Sequence, residues 1–233
     1  MQWPFRVGDP NWIPAFAGMT EKDIGNSIMA KGFFITFEGA EGSGKSTQIR
    51  NAVAFLKKKG RSVVMLREPG GTRISEAIRE ILLDKKNTEM AHVTELLLYL
   101  AARAQIVREK ILPALKKGKV VISDRFEDST RAYQGFGRKI PLRAIEEASK
   151  LVRGSLKPDL TFVLDIDIAK GLKRGGRHDR IEREALSFHE RVRRGFLALA
   201  KKEPERMVVL DTSEPAQCVS QKVRERLERV FGQ

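Results

Sequence analysis

The chain contains a single cysteine, Cys218, so no internal disulfide can form and the fold has to be held by its core. Its histidines (His92, His178 and His189) are scattered, and no Cys/His cluster has the spacing of a zinc site or a catalytic dyad. No apolar run approaches the roughly 20 residues that a membrane-spanning helix needs, so no membrane partner is expected. Aromatic residues make up 7% of the chain and do not interleave with basic ones, which argues against a stacking platform for single-stranded nucleic acid. Internal repeats and low-complexity tracts are lacking too. With so little cysteine, a reducing cytoplasm is the expected compartment.

What is present suits one soluble globular domain: 233 residues, 41% hydrophobic and 32% charged, are enough for a sizeable core. The net charge of +14 would suit nucleic acid, but a ligand carrying several phosphates explains part of it equally well. The basic residues are mixed with acids along helical stretches, as in Arg191–Arg194 and Arg224–Arg229, and read as solvated faces. No specific nucleic-acid partner is expected.

Residues 1–28 differ from everything after them. They hold both tryptophans, Trp3 and Trp12, with Pro4, Pro10 and Pro14, and show no helical or strand period. The stretch lacks the basic and apolar regions of a signal peptide and is too acidic for a transit peptide. The string WIPAFAGMTE resembles translated palindromic-repeat DNA. Residues 1–28 are therefore expected to be a mis-called start or disordered extension, and 29–233 to be one domain beginning in physical terms at Met29. An apolar arm that docks on a partner is the alternative.

From Phe33 onward, short apolar runs alternate with helical patterns. Strands are expected at Phe33–Glu38, Ser62–Arg67, Val120–Asp124, Leu160–Asp165 and Met207–Asp211, with helices near 45–59, 73–84, 89–117, 141–152, 182–203 and 216–231. Strands that are apolar throughout are covered by helices on both faces, so the fold class is α/β with a parallel sheet. Ligands of such sheets bind at the carboxyl ends of the strands, where Glu38, Glu68 and Asp124 lie.

The first strand runs into Gly39, Ala40, Glu41, Gly42, Ser43, Gly44, Lys45 and Ser46, the form G-x-x-x-x-G-K-[ST], followed by Thr47. Glycines let successive backbone N–H groups turn onto phosphate oxygens, Lys45 can bridge the β- and γ-phosphates, and the Ser46 hydroxyl can ligate Mg²⁺. The helix starting at Lys45 adds its positive end. Four further segments fall at strand ends or in loops. In Arg67–Thr72 (REPGGT), Pro69 and two glycines force a turn. Asp124 closes the third strand where an acid would act on Mg²⁺ or its waters, and Arg125 would aim a planar fork at a phosphate. Tyr99 and Arg103, four apart on one helix face, set a stacking ring beside a hydrogen-bonding fork suited to an aromatic base. Arg174, Arg177 and Arg180 recur around two glycines, so 173–182 reads as a mobile basic lid able to close over transferring phosphates.

Together ITFEGAEGSGKST, REPGGT, ELLLYLAAR, DRFEDSTRAYQG, KPDLTFVLD and DRIE resemble bacterial thymidylate kinases from roughly Lys31 to the end of the chain. The resemblance implies a five-stranded parallel sheet of the nucleoside-monophosphate kinase type, a homodimer, and ATP- and Mg²⁺-dependent phosphorylation of dTMP to dTDP. It implies that residues 39–47 and Arg174 meet ATP, that Ser46 and Asp124 serve the metal, and that Glu41 faces the dTMP sugar. Arg79 and Arg125 would hold the dTMP phosphate, Arg103 would hydrogen-bond the thymine, and Thr130 and Gln134 would line the base pocket. Tyr99 stands where the family usually has Phe. Family members carry a basic residue either in the P-loop or in the lid; with Gly42 after Glu41, Arg177 or Arg180 is expected to stabilise the transferred phosphoryl. A kinase for another pyrimidine nucleoside monophosphate and a non-catalytic nucleotide-binding protein are the competing readings.

Overall fold

The computed structural model describes residues 32–175 and 179–232; the extension at 1–28 and the lid residue Arg177 lie outside the described residues. Five strands, β1 (Phe33–Glu38), β2 (Val63–Arg67), β3 (Val120–Asp124), β4 (Leu160–Asp165) and β5 (Met207–Asp211), form one parallel sheet in the order β2-β3-β1-β4-β5. All five expected strands are present, β2 starting one residue late. The glycine-rich loop leaves the central strand, and Phe37 pairs with Asp124 on one side and Phe162 on the other.

Alternation along β1 assigns its side chains to two layers. Ile35 and Phe37 point into a core closed by α1 (Lys45–Lys58) and α9 (Ala216–Phe231), through Ile49, Leu56, Val219 and Leu227. Phe34 points the other way, onto Ile106 of α3 (His92–Ile106), Ile111 and Phe126. Thr36 shares that second face and is fully buried, its hydroxyl 2.8 Å from that of Thr161. α3 runs on through a π-helical stretch, Val107–Ile111, into α4 (Leu112–Lys116), so the long helix expected near 89–117 is real but shorter at its start. α2 (Arg73–Leu83) is capped by Thr72, whose hydroxyl accepts from the amide of Ser75, while the Ser75 hydroxyl ties the helix to Ala102 of α3. α6 (Leu142–Arg153) matches expectation, and α8 (Leu186–Lys202) is present but begins four residues later than expected.

Two helices were not expected. α5 (Glu127–Thr130) continues as a π-helical stretch, Arg131–Gly137, in a segment to which no element was assigned. Glycine disfavours helix, yet Gly135 and Gly137 lie against Leu142 and Phe188, where a Cβ would collide, and packing outweighs propensity. α7 (Ile168–Gly175) takes the first part of the segment expected as a lid loop.

The carboxyl ends of the strands are stitched together before any side chain acts. The Arg125 amide donates to Phe37 O at 3.0 Å and the Glu68 amide to Asp124 O at 2.9 Å. Glu38, fully buried at the end of β1, completes the stitching: its carboxyl meets the Phe126 amide at 2.8 Å and the Ser129 hydroxyl at 2.5 Å. Burial, with Asp128 nearby, pushes this carboxyl up from 4.5 to about 8. The folded chain then binds more protons than the unfolded chain between those two values, so stability falls as pH rises through that window. Glu38→Gln keeps both contacts without titrating. It should flatten the dependence of the melting temperature on pH between about 5 and 8. A slope equal to that of the unaltered protein would refute this role.

Candidate active site

A cavity of about 330 Å³ opens at the carboxyl ends of β1, β2 and β3. At one end it is lined by Glu41, Gly42, Lys45 and Ser46 of the loop and by Asp124. At the other lie Tyr99, Arg103, Thr130 and Gln134, with Arg79 and Arg125 also on its wall. Eleven residues expected at the site from sequence therefore line one cavity.

Lys45 opens α1, and its buried ammonium donates to Gly39 O at 3.0 Å and Ala40 O at 2.9 Å. Burial first, then the neighbouring Arg125, lowers it from 10.5 to about 8. The α1 N-terminus has no side-chain cap, so its amides are available to an anion beside Ser46, which is exposed. The Asp124 carboxylate has no hydrogen-bond partner among the described residues. Gly42 has φ +68°, and a Cβ there would lie 2.0 Å from the carbonyl oxygen of Gly171 in α7. The position that carries a cation in some P-loops is therefore closed to any side chain here.

Arg125 has φ 71°, a conformation rarely used by a non-glycine residue. Its guanidinium is fixed from three sides: to Gly39 O at 3.0 Å, to the Ser129 hydroxyl at 3.1 Å and to Glu41 Oε1 at 2.8 Å. It also stacks over the Tyr133 ring at 5.0 Å. Glu41 accepts from the Tyr133 hydroxyl at 2.6 Å and lies 3.6 Å from Nδ1 of buried His189. Burial opposes ionisation of Glu41, but His189, Arg125, Lys45 and Tyr133 together hold it well below the usual carboxylate range.

At the far end, Arg103 is 2% exposed and so must be paired. It donates to Glu68 at 2.8 Å and to the Thr130 hydroxyl at 2.9 Å, and lies over the Phe126 ring. Thus the REPGGT turn is a brace: Glu68 holds Arg103, and the Pro69 carbonyl accepts from Arg79 at 2.8 Å and Arg67 at 3.1 Å. Gln134 donates to Glu95 at 2.8 Å. The Tyr99 ring lines the cavity half-buried, its hydroxyl without a hydrogen-bond partner among the described residues, and burial raises its pKa.

Arg174 and Arg180, also expected at the site, do not line this cavity. Arg180 is buried away from the loop, donating to Leu82 O at 3.0 Å and pairing with Glu95 at 2.7 Å. The physical reason is the fully buried Glu95 carboxylate, which needs cations around it. Arg174, at the end of α7, makes a long contact of 3.5 Å to Thr212 O and is not on the cavity wall. Around Arg180 the chain folds into a turn closed by the Asp179 carboxylate on the Glu182 amide at 2.9 Å, and Asp179 and Glu182 line the cavity. Sequence reading missed Tyr133 and Ser129. The signal was the helical spacing of Thr130, Tyr133 and Gln134, hidden because no helix was assigned there.

A family profile described as thymidylate kinase matches residues 37–223. The curated thymidylate kinase of Geobacter sulfurreducens is 50% identical over 205 residues, covering 84% of this chain and 96% of that protein. That of Pelobacter propionicus is 49% identical over 201 residues, covering 82% and 92%. The crystal structure of thymidylate kinase from Ehrlichia chaffeensis superposes with a TM-score of 0.67 at 36% identity, covering 84% of this chain and 98% of the other. The five-stranded parallel sheet, the phosphate loop on its central strand and these matches agree: the chain belongs to the thymidylate kinase family.

Proposed function

We propose that the protein transfers the γ-phosphoryl group of ATP to the 5′-phosphate of dTMP, giving dTDP and ADP. The observation that carries this reading is the single cavity joining Lys45, Ser46 and Asp124 to the Tyr99–Arg103–Thr130–Gln134 cluster, with Arg125 and Arg79 on the same wall. One end suits a polyphosphate and the other a flat base with hydrogen-bonding edges.

The acceptor needs no general base. A phosphate monoester has a second pKa of about 6 and is largely a dianion at neutral pH, so repulsion between two polyanions is the barrier. Fixed cations lower it, and they cost nothing to reorient when they are already pinned. Arg125 would hold the acceptor phosphate with Arg79, and Lys45 would exchange its two loop carbonyls for donor phosphate oxygens. Glu41, tied to Arg125 and Tyr133, would face the sugar. Tyr99 would stack on the base, with Thr130, Gln134 and Arg103 reading its edge. Residues 39–47 and Arg174 would contact ATP.

The donor set fits Mg²⁺. Ser46 and Asp124 offer hard oxygens on one wall, and among the described residues no group of three metal-ligating side chains builds a closed cage. Such an ion usually takes one or two protein ligands and completes its shell with phosphate and water. When bound, it would neutralise developing phosphate charge.

For the transferred phosphoryl, Gly42 has no room for a side chain and Arg180 is engaged by Glu95, which leaves Arg177 as the lid arginine we assign. Residues 29–233 would form the working domain, and 1–28 would be dispensable. A kinase of this kind draws on cytoplasmic ATP, so we assign it to the cytoplasm. A homodimer is supported by apolar side chains left about half exposed on two adjacent helices: Ile74 and Ile81 of α2 and Val93 and Leu97 of α3. We assign this face to a second copy of the chain. A kinase for dUMP or dCMP is the second reading, because one methyl group is worth only about 1–3 kcal/mol of discrimination.

ADP release should be fast with dTMP and at least tenfold slower with dUMP, dCMP, AMP or GMP, roughly the discrimination a well-filled pocket supplies. Turnover led by another acceptor would reject the substrate while keeping the chemistry. Arg125→Ala should lower kcat by roughly 100-fold with the fold intact by circular dichroism, since the acceptor phosphate loses its position. Near-normal turnover would remove Arg125 from the mechanism. Chain starting at Met29 should keep full activity. Leu97→Glu should shift the sedimentation mass from dimer to monomer.

A further inference from the structure

Glu95, in the first turn of α3, is fully buried and accepts from three directions. Its Oε1 takes the Gln134 amide at 2.8 Å and Arg138 Nε at 3.1 Å, and its Oε2 takes Arg138 Nη2 at 2.9 Å and pairs with Arg180 Nη2 at 2.7 Å. Burial opposes the charge, but Arg138, Gln134 and Arg180 hold the carboxyl below its ordinary range, so it is ionised at neutral pH. An ionised carboxylate can only accept. Gln134 must therefore turn its NH₂ toward Glu95, and its carbonyl oxygen is the polar atom left for a ligand in the cavity it lines.

The neighbouring groups are locked in the complementary sense. Arg103 spends Nε on Glu68 and Nη1 on Thr130, leaving Nη2 a donor without a hydrogen-bond partner among the described residues. The Thr130 hydroxyl accepts from Arg103, which leaves its hydrogen to donate. The base end of the cavity thus offers an acceptor beside donors. That pattern matches a pyrimidine edge that reads carbonyl, ring N–H, carbonyl. A 4-aminopyrimidine sets an unprotonated ring nitrogen against the Gln134 carbonyl, lone pair against lone pair.

Resting on the function proposed above, we infer that Glu95 is a positioning residue for base selection. By fixing the Gln134 amide with its oxygen toward the cavity, it makes the pocket demand a ring N–H and so favour dioxopyrimidine over aminopyrimidine nucleotides. Glu95 does not itself line the cavity; it acts through Gln134. Without it, the amide is free to turn its NH₂ inward and meet the cytosine ring nitrogen.

The test compares kcat/KM for dTMP and dCMP. In Glu95→Gln the dTMP:dCMP ratio should fall by about tenfold or more, the scale of one misdirected buried hydrogen bond. Repeated in a Gln134→Met background, the same substitution should leave the ratio unchanged. A merely structural role would lower both substrates together, and a ratio within about twofold of the unaltered protein would overturn the inference. If Glu95→Gln does not fold, Glu95→Asp carries the test: it keeps a charge facing Arg138 and Arg180 while drawing back from Gln134, and the same fall is expected. An unaltered protein that does not use dTMP would instead overturn the function on which the inference rests.

Discussion

The guanidinium of Arg125 is the charge on which both ends of the cavity lean. Its backbone sits at φ 71°, a conformation that costs on the order of 1–3 kcal/mol for a residue with a Cβ and persists only where the surroundings dictate it. They do. Glu38 fixes the following residues through Phe126 and Ser129, the Arg125 amide is bonded to β1, and its side chain is held by the Gly39 carbonyl, Ser129 and Glu41. Tyr133 covers its face. The cation is thus attached to the phosphate loop and to α5 at once, so a shift of either moves the other.

A similar logic recurs elsewhere in the fold. Arg103 is paired with Glu68, Arg138 and Arg180 with Glu95, Arg206 with Asp128, and Arg153 with Glu127, all largely buried. Such pairs add little net stability, since desolvation offsets most of the attraction, but removing one partner costs about 3–5 kcal/mol. Their value is geometric. Each pair fixes the direction of a hydrogen-bonding group, and direction is what a site handling two polyanions and a flat base requires. The basic residues are therefore not all on solvated faces: several arginines are buried, neutralised by acids and used as scaffold.

Much of this was legible in the sequence, for physical reasons that can be named. Apolar strands and the G-x-x-x-x-G-K-S loop depend on local chemistry, so all five strands and the phosphate end could be read directly, as could the shared face of Tyr99 and Arg103. What could not be read depends on contacts distant along the chain. Glu95 looks like an ordinary acid at a helix start until Gln134, Arg138 and Arg180 converge on it from 39 or more residues away. Tyr133 reaches Glu41 across 92 residues. Arg180 read as a free lid cation because its basic neighbours dominate the local pattern, and nothing local announces the buried carboxylate that claims it.

Gly42 and Gly171 link the two ends of the lid problem. A Cβ on Gly42 would meet the Gly171 carbonyl oxygen at 2.0 Å and one on Gly171 would meet the Glu41 carbonyl oxygen at 2.5 Å, which seats α7 directly against the phosphate loop. Further along, Arg180 and its backbone amide are bonded to Leu82 and Leu83 at the end of α2, and Arg180 pairs with Glu95. The chain is thus anchored on both sides of the stretch that contains Arg177, at the loop before it and at the base end of the cavity after it. On the function proposed, a loop without room for its own cation would receive one from a neighbouring segment. Here that segment is tethered to the same carboxylate that orients Gln134, so the groups that would read the base and those that would bring a cation to the phosphates share a foundation.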